Sequence, residues 1–251
     1  MRTARARIVH LGDRFAVLDK PPGLSLATPR RAGDAAARRL VAALPEEERS
    51  MLAGRELHLV HRLDEPTSGL VLVALDAEMH RKLVTELAAR RISKVYLALV
   101  WGRPRPRRGA WTAPLGPDRG DRRKMRVDPT GRAATTDWLV VAHAPHVSLV
   151  ALWPRTGRTH QLRVHLAAAG HPIVGDDFYG GPRERAIHDR ALRKSLEVGR
   201  ALLHAWRLEV PSLEPSRFEA PLPADLRAAA ASAGLSLEGL DELWQSPAVP
   251  T

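Results

Sequence analysis

Apolar residues fall in short runs along this chain, and two spacings alternate. Leu70 to Leu75 is the densest run, with no polar residue in it and several branched side chains. That pattern predicts a strand buried on both faces. Phe15 to Asp19 predicts a second short strand, ended sharply by Lys20-Pro21-Pro22-Gly23. Ile92 to Val100 predicts a third, with Val95, Leu97 and Leu99 on one face and Lys94, Tyr96 and Ala98 on the other. Thr135 to Ala142 and Val147 to Trp153, joined through His143-Ala144-Pro145-His146, predict a hairpin. A short strand is expected near Trp111 to Leu115, and another from Leu202 to Val210.

Helical spacing appears between these runs. Asp34 to Leu44 places Leu40, Val41 and Leu44 on one face. Asp76 can cap a helix to about Arg91, with Met79, Leu83, Val84, Leu87 and Ala88 as its apolar stripe. Thr159 can cap a helix from His160 to about Ala169, closed by Gly170. Residues 180–200 carry only a weak stripe (Ile187, Leu192, Leu196), and a terminal helix starts at Ala224. Many strands with few helices argue an α+β chain around a mostly antiparallel sheet.

Composition narrows the class. Apolar residues make up 44 % of 251, so a packed core is expected. No run approaches ~18 apolar residues, so no membrane span is expected. The basic start, Met1 to Arg7, leads into no apolar segment, so secretion is not expected and the cytoplasm is. With no cysteine, disulfides and thiolate metal sites are excluded. A formal charge of +11 favours a polyanionic partner, most simply nucleic acid. Arginine supplies 34 of the 39 basic residues, and GC-rich coding would also raise that number. The basic stretches Arg103 to Arg108 and Arg119 to Arg126 lack aromatics, which suits phosphate contacts, or plain solvation.

Candidate chemistry gathers just before the densest run. His61, Arg62, Asp64, Glu65 and Thr67 precede Leu70 among the turn formers Pro66, Ser68 and Gly69. Pro66 cannot donate to a ladder, so the cluster belongs to a loop feeding a core strand. Asp64 then sits at the core's edge, where a carboxylate must find a partner; an aspartate capping its own turn is the local alternative. His160, His165 and His171 are spaced by five and six, which does not stack them on one helical turn, so no metal site is expected.

The string His-Arg-Leu-Asp-Glu-Pro-Thr-Ser-Gly at 61–69 resembles the signature of the RluA-like family of pseudouridine synthases. Three further stretches are similar to that family's motifs, in its order: Lys20-Pro-Pro-Gly23, Lys94-Val-Tyr-Leu-Ala-Leu-Val100, and the long string from Thr156 through Gly180. The resemblance implies a mixed, mostly antiparallel bifurcated sheet with flanking helices. One catalytic domain would span 1–251, its core about 14–223, with a C-terminal helix and tail at 224–251. It implies a compact type without an N-terminal accessory RNA-binding domain. It further implies isomerisation of uridines in rRNA or tRNA by a monomer, without metal or other cofactor. On it, Asp64 is the catalytic carboxylate, Arg163 the arginine that pairs with it, and Tyr96 the group near the base. Arg62 would help extrude the target uridine, and His61, Thr67, Arg158, His160 and Gln161 would contact substrate. Two rivals stand beside it: a noncatalytic RNA-binding protein on the same scaffold, and a glycoside hydrolase using Asp64 with a second carboxylate such as Glu65 or Asp76.

Overall fold

The computed structural model describes residues 5–27, 34–181 and 183–244. The expected tail beyond residue 244 lies outside them. In chain order the elements are β1 (Arg7–Leu11), β2 (Phe15–Lys20), α1 (Ala35–Ala42), α2 (Glu46–Ser50), β3 (His58–Leu59), β4 (Ser68–Ala74), α3 (Ala77–Ala88) and β5 (Ser93–Trp101). There follow β6 (Arg108–Thr112), β7 (Leu115–Pro117), β8 (Met125–Val127), β9 (Thr135–His143), β10 (Val147–Pro154) and α4 (Gln161–Ala168). The chain ends through α5 (Arg190–Leu196), β11 (Leu203–Glu209), β12 (Arg217–Glu219) and α6 (Ala224–Ser232), with 3-10 turns at Glu184–Ala186 and Leu240–Glu242. The fold is α+β, and its strand pairings are mostly antiparallel.

Two compact units can be described. The first comprises Met1–Lys94 and Ala205–Pro221. Its centre is β4, buried at every position. Antiparallel β2 runs along it from Phe15 opposite Ala74 to Lys20 opposite Gly69, and β1 lies outside β2. The short β3 pairs with the end of β4, β11 neighbours β4, and β12 pairs with β11. One face carries the core: Val17, Leu70, Leu72, Met79, Leu83, Leu208 and Phe218 pack together. Each such side chain, once buried, contributes roughly 1.5–3 kcal/mol, which is what holds the β4 register.

Helix α3 starts as the sequence predicts, with the Asp76 carboxylate accepting from the Met79 N–H at 2.8 Å. Its buried face differs. Val84 is exposed, whereas Glu86 is buried and accepts from the Ser212 hydroxyl at 2.6 Å. The strand expected at Phe15 forms as β2, and β1 precedes it.

The second unit comprises Val95–His204 and Leu222–Thr251. Its strands run in the order β5-β10-β9-β6, each pairing antiparallel, with β7 and β8 as a separate hairpin. The second basic stretch is therefore in large part this hairpin. The apolar side chains that seat it are Leu115, Ala134 and Val164, with Met125 and Tyr179 against them. Helix α4 is not capped by Thr159. His160 is the N-cap, in the left-handed region at φ 54°, and makes no side-chain cap bond. Gly170, at φ 84°, closes the helix as expected.

Candidate active site

In the first unit, the loop from His61 to Thr67 is held from two sides. Lys20, fully buried at the end of β2, donates from Nζ to the carbonyls of Pro21 (2.8 Å), Leu24 (3.0 Å) and Glu65 (3.2 Å). The Gly23 N–H donates to the same Glu65 carbonyl at 2.8 Å. The Pro-Pro-Gly turn is thus tied to the loop, and Lys20 is its internal anchor, not an exposed cation. From the strand side, the Leu72 N–H donates to His61 Nε2 at 3.3 Å.

Between these anchors the loop alternates in exposure. Leu63 and Thr67 are buried, Arg62 and Glu65 exposed, and Asp64 half-buried. The Asp64 carbonyl accepts from the Thr67 N–H at 3.1 Å, closing a tight turn. Of the buried polar atoms without a hydrogen-bond partner among the described residues, two belong to this loop, His61 Nδ1 and Thr67 Oγ1. Such orphans cost about 1–3 kcal/mol each, and functional sites are where they are tolerated. Because Nε2 of His61 accepts, its proton resides on Nδ1. Burial, with the Lys94 charge adding to it, lowers the His61 pKa to about 3, so the ring is neutral. Burial also lowers Lys94 to about 8.

Gly69 permits the turn into β4. It sits at φ 111°, and a Cβ built there would lie 2.2 Å from the Ala205 carbonyl oxygen. Only glycine allows that approach.

The second unit gathers Arg158, His160, Gln161 and Arg163 around the start of α4. The Gln161 amide is fully committed. Its Oε1 accepts from Thr156 Oγ1 (2.7 Å) and the Arg158 N–H (3.1 Å), and its Nε2 donates to the Thr135 carbonyl (2.9 Å) and Thr136 Oγ1 (3.0 Å). Arg158 Nε donates to the Ala133 carbonyl at 3.0 Å. Arg163 is buried, and its Nε and Nη2 each meet Asp176 at 2.7 Å in a bidentate pair. The guanidinium also lies 4.9 Å from the Tyr179 ring centroid and 5.5 Å from that of Phe178. The Tyr179 hydroxyl is 2.7 Å from His160 Nδ1 and accepts from the Met125 N–H at 2.9 Å, joining α4 to the β7–β8 hairpin.

Asp176 and Tyr179 carry structural roles that the sequence did not single out. Their place in the Gly-Asp-x-x-Tyr-Gly string was the available signal. Tyr96 lies in β5, buried, opposite Leu152 of β10. The other two histidines are committed to backbone and hydroxyl groups: His165 bonds Thr136 and the Ala113 carbonyl, and His171 donates to the Trp101 carbonyl. Burial lowers the His165 pKa, in keeping with a neutral core ring.

Comparison with known proteins places this geometry in a class. Residues 14–168 match the RNA pseudouridylate synthase family model, and the chain belongs to that family, whose members are isomerases. Three relatives illustrate the range. An uncharacterized RNA pseudouridine synthase of Chloroflexus aurantiacus is 43% identical over 75% of this chain, which spans only 58% of that relative's length. The dual-specificity RNA pseudouridine synthase RluA of Escherichia coli is 40% identical, over 74% of this chain and 82% of the relative. A Zymomonas mobilis relative, another uncharacterized RNA pseudouridine synthase, is 36% identical over 86% and 94%. Among solved structures, human RNA pseudouridylate synthase domain containing 4 superposes with a TM-score of 0.73 at 28% identity, covering 92% of this chain and 94% of its own.

Proposed function

We propose that this chain converts uridines in ribosomal or transfer RNA to pseudouridine, with Asp64 as the catalytic carboxylate and without a cofactor. The observation that carries the reading is the seat of Asp64. Its carboxylate is half-buried on a turn tied to Lys20 below and to β4 beside it, next to two orphaned polar atoms.

The reaction breaks the N1–C1′ glycosidic bond, turns the base and joins C5 to C1′; the C5 proton is then lost and N1 ends protonated, so the product is an isomer of the substrate. A carboxylate can trap the electron-poor carbon, and a fixed turn aims it. Arg163 is proposed as the arginine that pairs with this carboxylate. Its own orientation is set by Asp176 and the two aromatic rings. Tyr96 serves the step at the base. Arg62, exposed on the same turn as Asp64, fills the gap left by the extruded uridine. His61 and Thr67 are assigned to the substrate-binding loop, and Arg158 and His160 to substrate contact. Gln161, with its amide filled, acts by fixing the turn that presents Arg158.

The name of the Escherichia coli relative includes dual specificity, which supports a target set drawn from more than one RNA. We take the working form to be a cytoplasmic monomer with 1–251 acting as one catalytic domain. No helix of the described residues is long and apolar enough to cross a membrane. Mapping pseudouridines in total RNA from cells with and without this gene tests the reading. Sites lost on deletion and restored by the gene support it. An unchanged map, together with RNA binding by the purified chain, would favour the noncatalytic rival.

A further inference from the structure

The second unit holds a groove of about 680 Å³ that contains none of the residues given a chemical role. It is lined by the segment Arg103–Arg107 between β5 and β6, the end of β9 from Val140 to His143, and Gly234–Ser236 after α6. Among the described residues, no aspartate, glutamate, phenylalanine, tyrosine or tryptophan lines it, and His143 contributes its one imidazole. Arg103, Arg105 and Arg107 are all exposed there. The third is aimed: Arg107 Nε donates to the Val140 carbonyl at 3.1 Å, while the Val140 N–H returns a bond to the Arg107 carbonyl at 2.7 Å. Pro104 within the first of these segments is buried, which fixes where the segment turns.

This chemistry selects an occupant. Three guanidinium groups without a neighbouring carboxylate attract anions, and arginine's fork matches phosphate oxygens. The groove has no large aromatic platform, only the His143 imidazole, and guanidinium groups that grip phosphates position RNA without reading its sequence. We infer that the groove is a docking subsite for the sugar-phosphate backbone of the RNA substrate, gripping a segment flanking the target uridine without reading its sequence. The inference rests on the proposed RNA substrate, and it assigns the first basic stretch a place in binding and not in chemistry.

The test is a double variant, Arg103→Gln with Arg105→Gln. Arg107 is left intact because it is bonded to the β9 backbone. Both substituted side chains are exposed, so an unchanged melting temperature is expected. Equilibrium RNA affinity is measured against salt, alongside the single-turnover rate at saturating enzyme. Losing two single-strand phosphate contacts should flatten the slope of log K against log[salt] by about 1.4, which is about 25-fold in affinity at 0.1 M salt relative to a 1 M reference. The saturated rate should hold. The variant Arg103→Lys with Arg105→Lys should restore most of the affinity, since a phosphate accepts a point charge.

Unchanged affinity and slope in the glutamine variant would overturn the inference and leave the stretch as solvated charge. A fallen saturated rate, or failure of lysine to rescue, would overturn it too. Affinity is read without turnover, so a chain that bound RNA through this groove but formed no pseudouridine would refute the proposed activity alone.

Discussion

Replacing Gly69 by alanine should be among the most damaging single changes in the first unit, and its cost can be built from two parts. The first is conformational. At φ 111° an L side chain is strained, by about 1–3 kcal/mol. The second is steric. The new Cβ would stand 2.2 Å from the Ala205 carbonyl oxygen, with the Ala205 carbonyl carbon and nitrogen each at 2.7 Å. Ordinary contact begins near 3.4 Å, so the β4 and β11 backbones would have to part by about 1.2 Å. That strains ladder hydrogen bonds worth about 1 kcal/mol each. Together the cost should be about 3–5 kcal/mol, or about 10 °C in melting temperature for a chain of this size. Gly23→Ala separates the parts. Gly23 has φ 81° but nothing within 4 Å of its Cβ position, so only the strain remains, about 1 kcal/mol. Thermal and urea unfolding of both variants provide the assay. Equal destabilisation by the two changes would refute the steric argument and the close seat of β4 on β11.

Three further outcomes are expected. Lys20→Met should strip the shared donor from three carbonyls and cost about 3 kcal/mol in urea unfolding, with the turn around Asp64 loosened. Asp176→Asn should leave the buried Arg163 without its bidentate anion and cost about 3–5 kcal/mol, read by the same unfolding assay. His61 is held neutral to about 3 in the folded chain, against 6.5 when unfolded. The unfolded state therefore binds one more proton between those values, and stability falls as pH drops through that window. His61→Gln should remove close to one proton from the slope of unfolding free energy against pH.

The elements that sequence shows well are those set by local burial. The unbroken apolar run of β4 and the Asp76 cap of α3 needed no distant partner to be recognised. What the sequence hides depends on distant contacts. Glu86 is buried because Ser212 bonds it, and nothing in the helical spacing announces that. The N-cap of α4 falls on His160, not Thr159, because the turn ahead of the helix is held by Gln161 through Thr156 and Arg158. Lys20 reads equally as a solvent cation until three carbonyls converge on it. The partner of Arg163 within its unit, Asp176, lies 13 residues on, beyond any helical periodicity. The motif strings nonetheless enclosed most residues of both clusters; Leu24, Leu72, Met125, Ala133, Thr135 and Thr136 fall outside them and take part through backbone or hydroxyl groups.

The proposed reaction depends on Asp64 as its catalytic carboxylate, and the most direct measurement is a paired one on Asp64→Asn. Single-turnover pseudouridine formation and equilibrium RNA affinity are determined on the same RNA preparation. The near-isosteric amide removes the charge and the nucleophile while keeping the turn, whose Thr67 bond uses only the Asp64 backbone carbonyl. The expected result is loss of product formation with RNA affinity within several-fold of the unmodified chain, because phosphate contacts carry most of the binding. Substantial product formation by the asparagine variant would contradict the assignment.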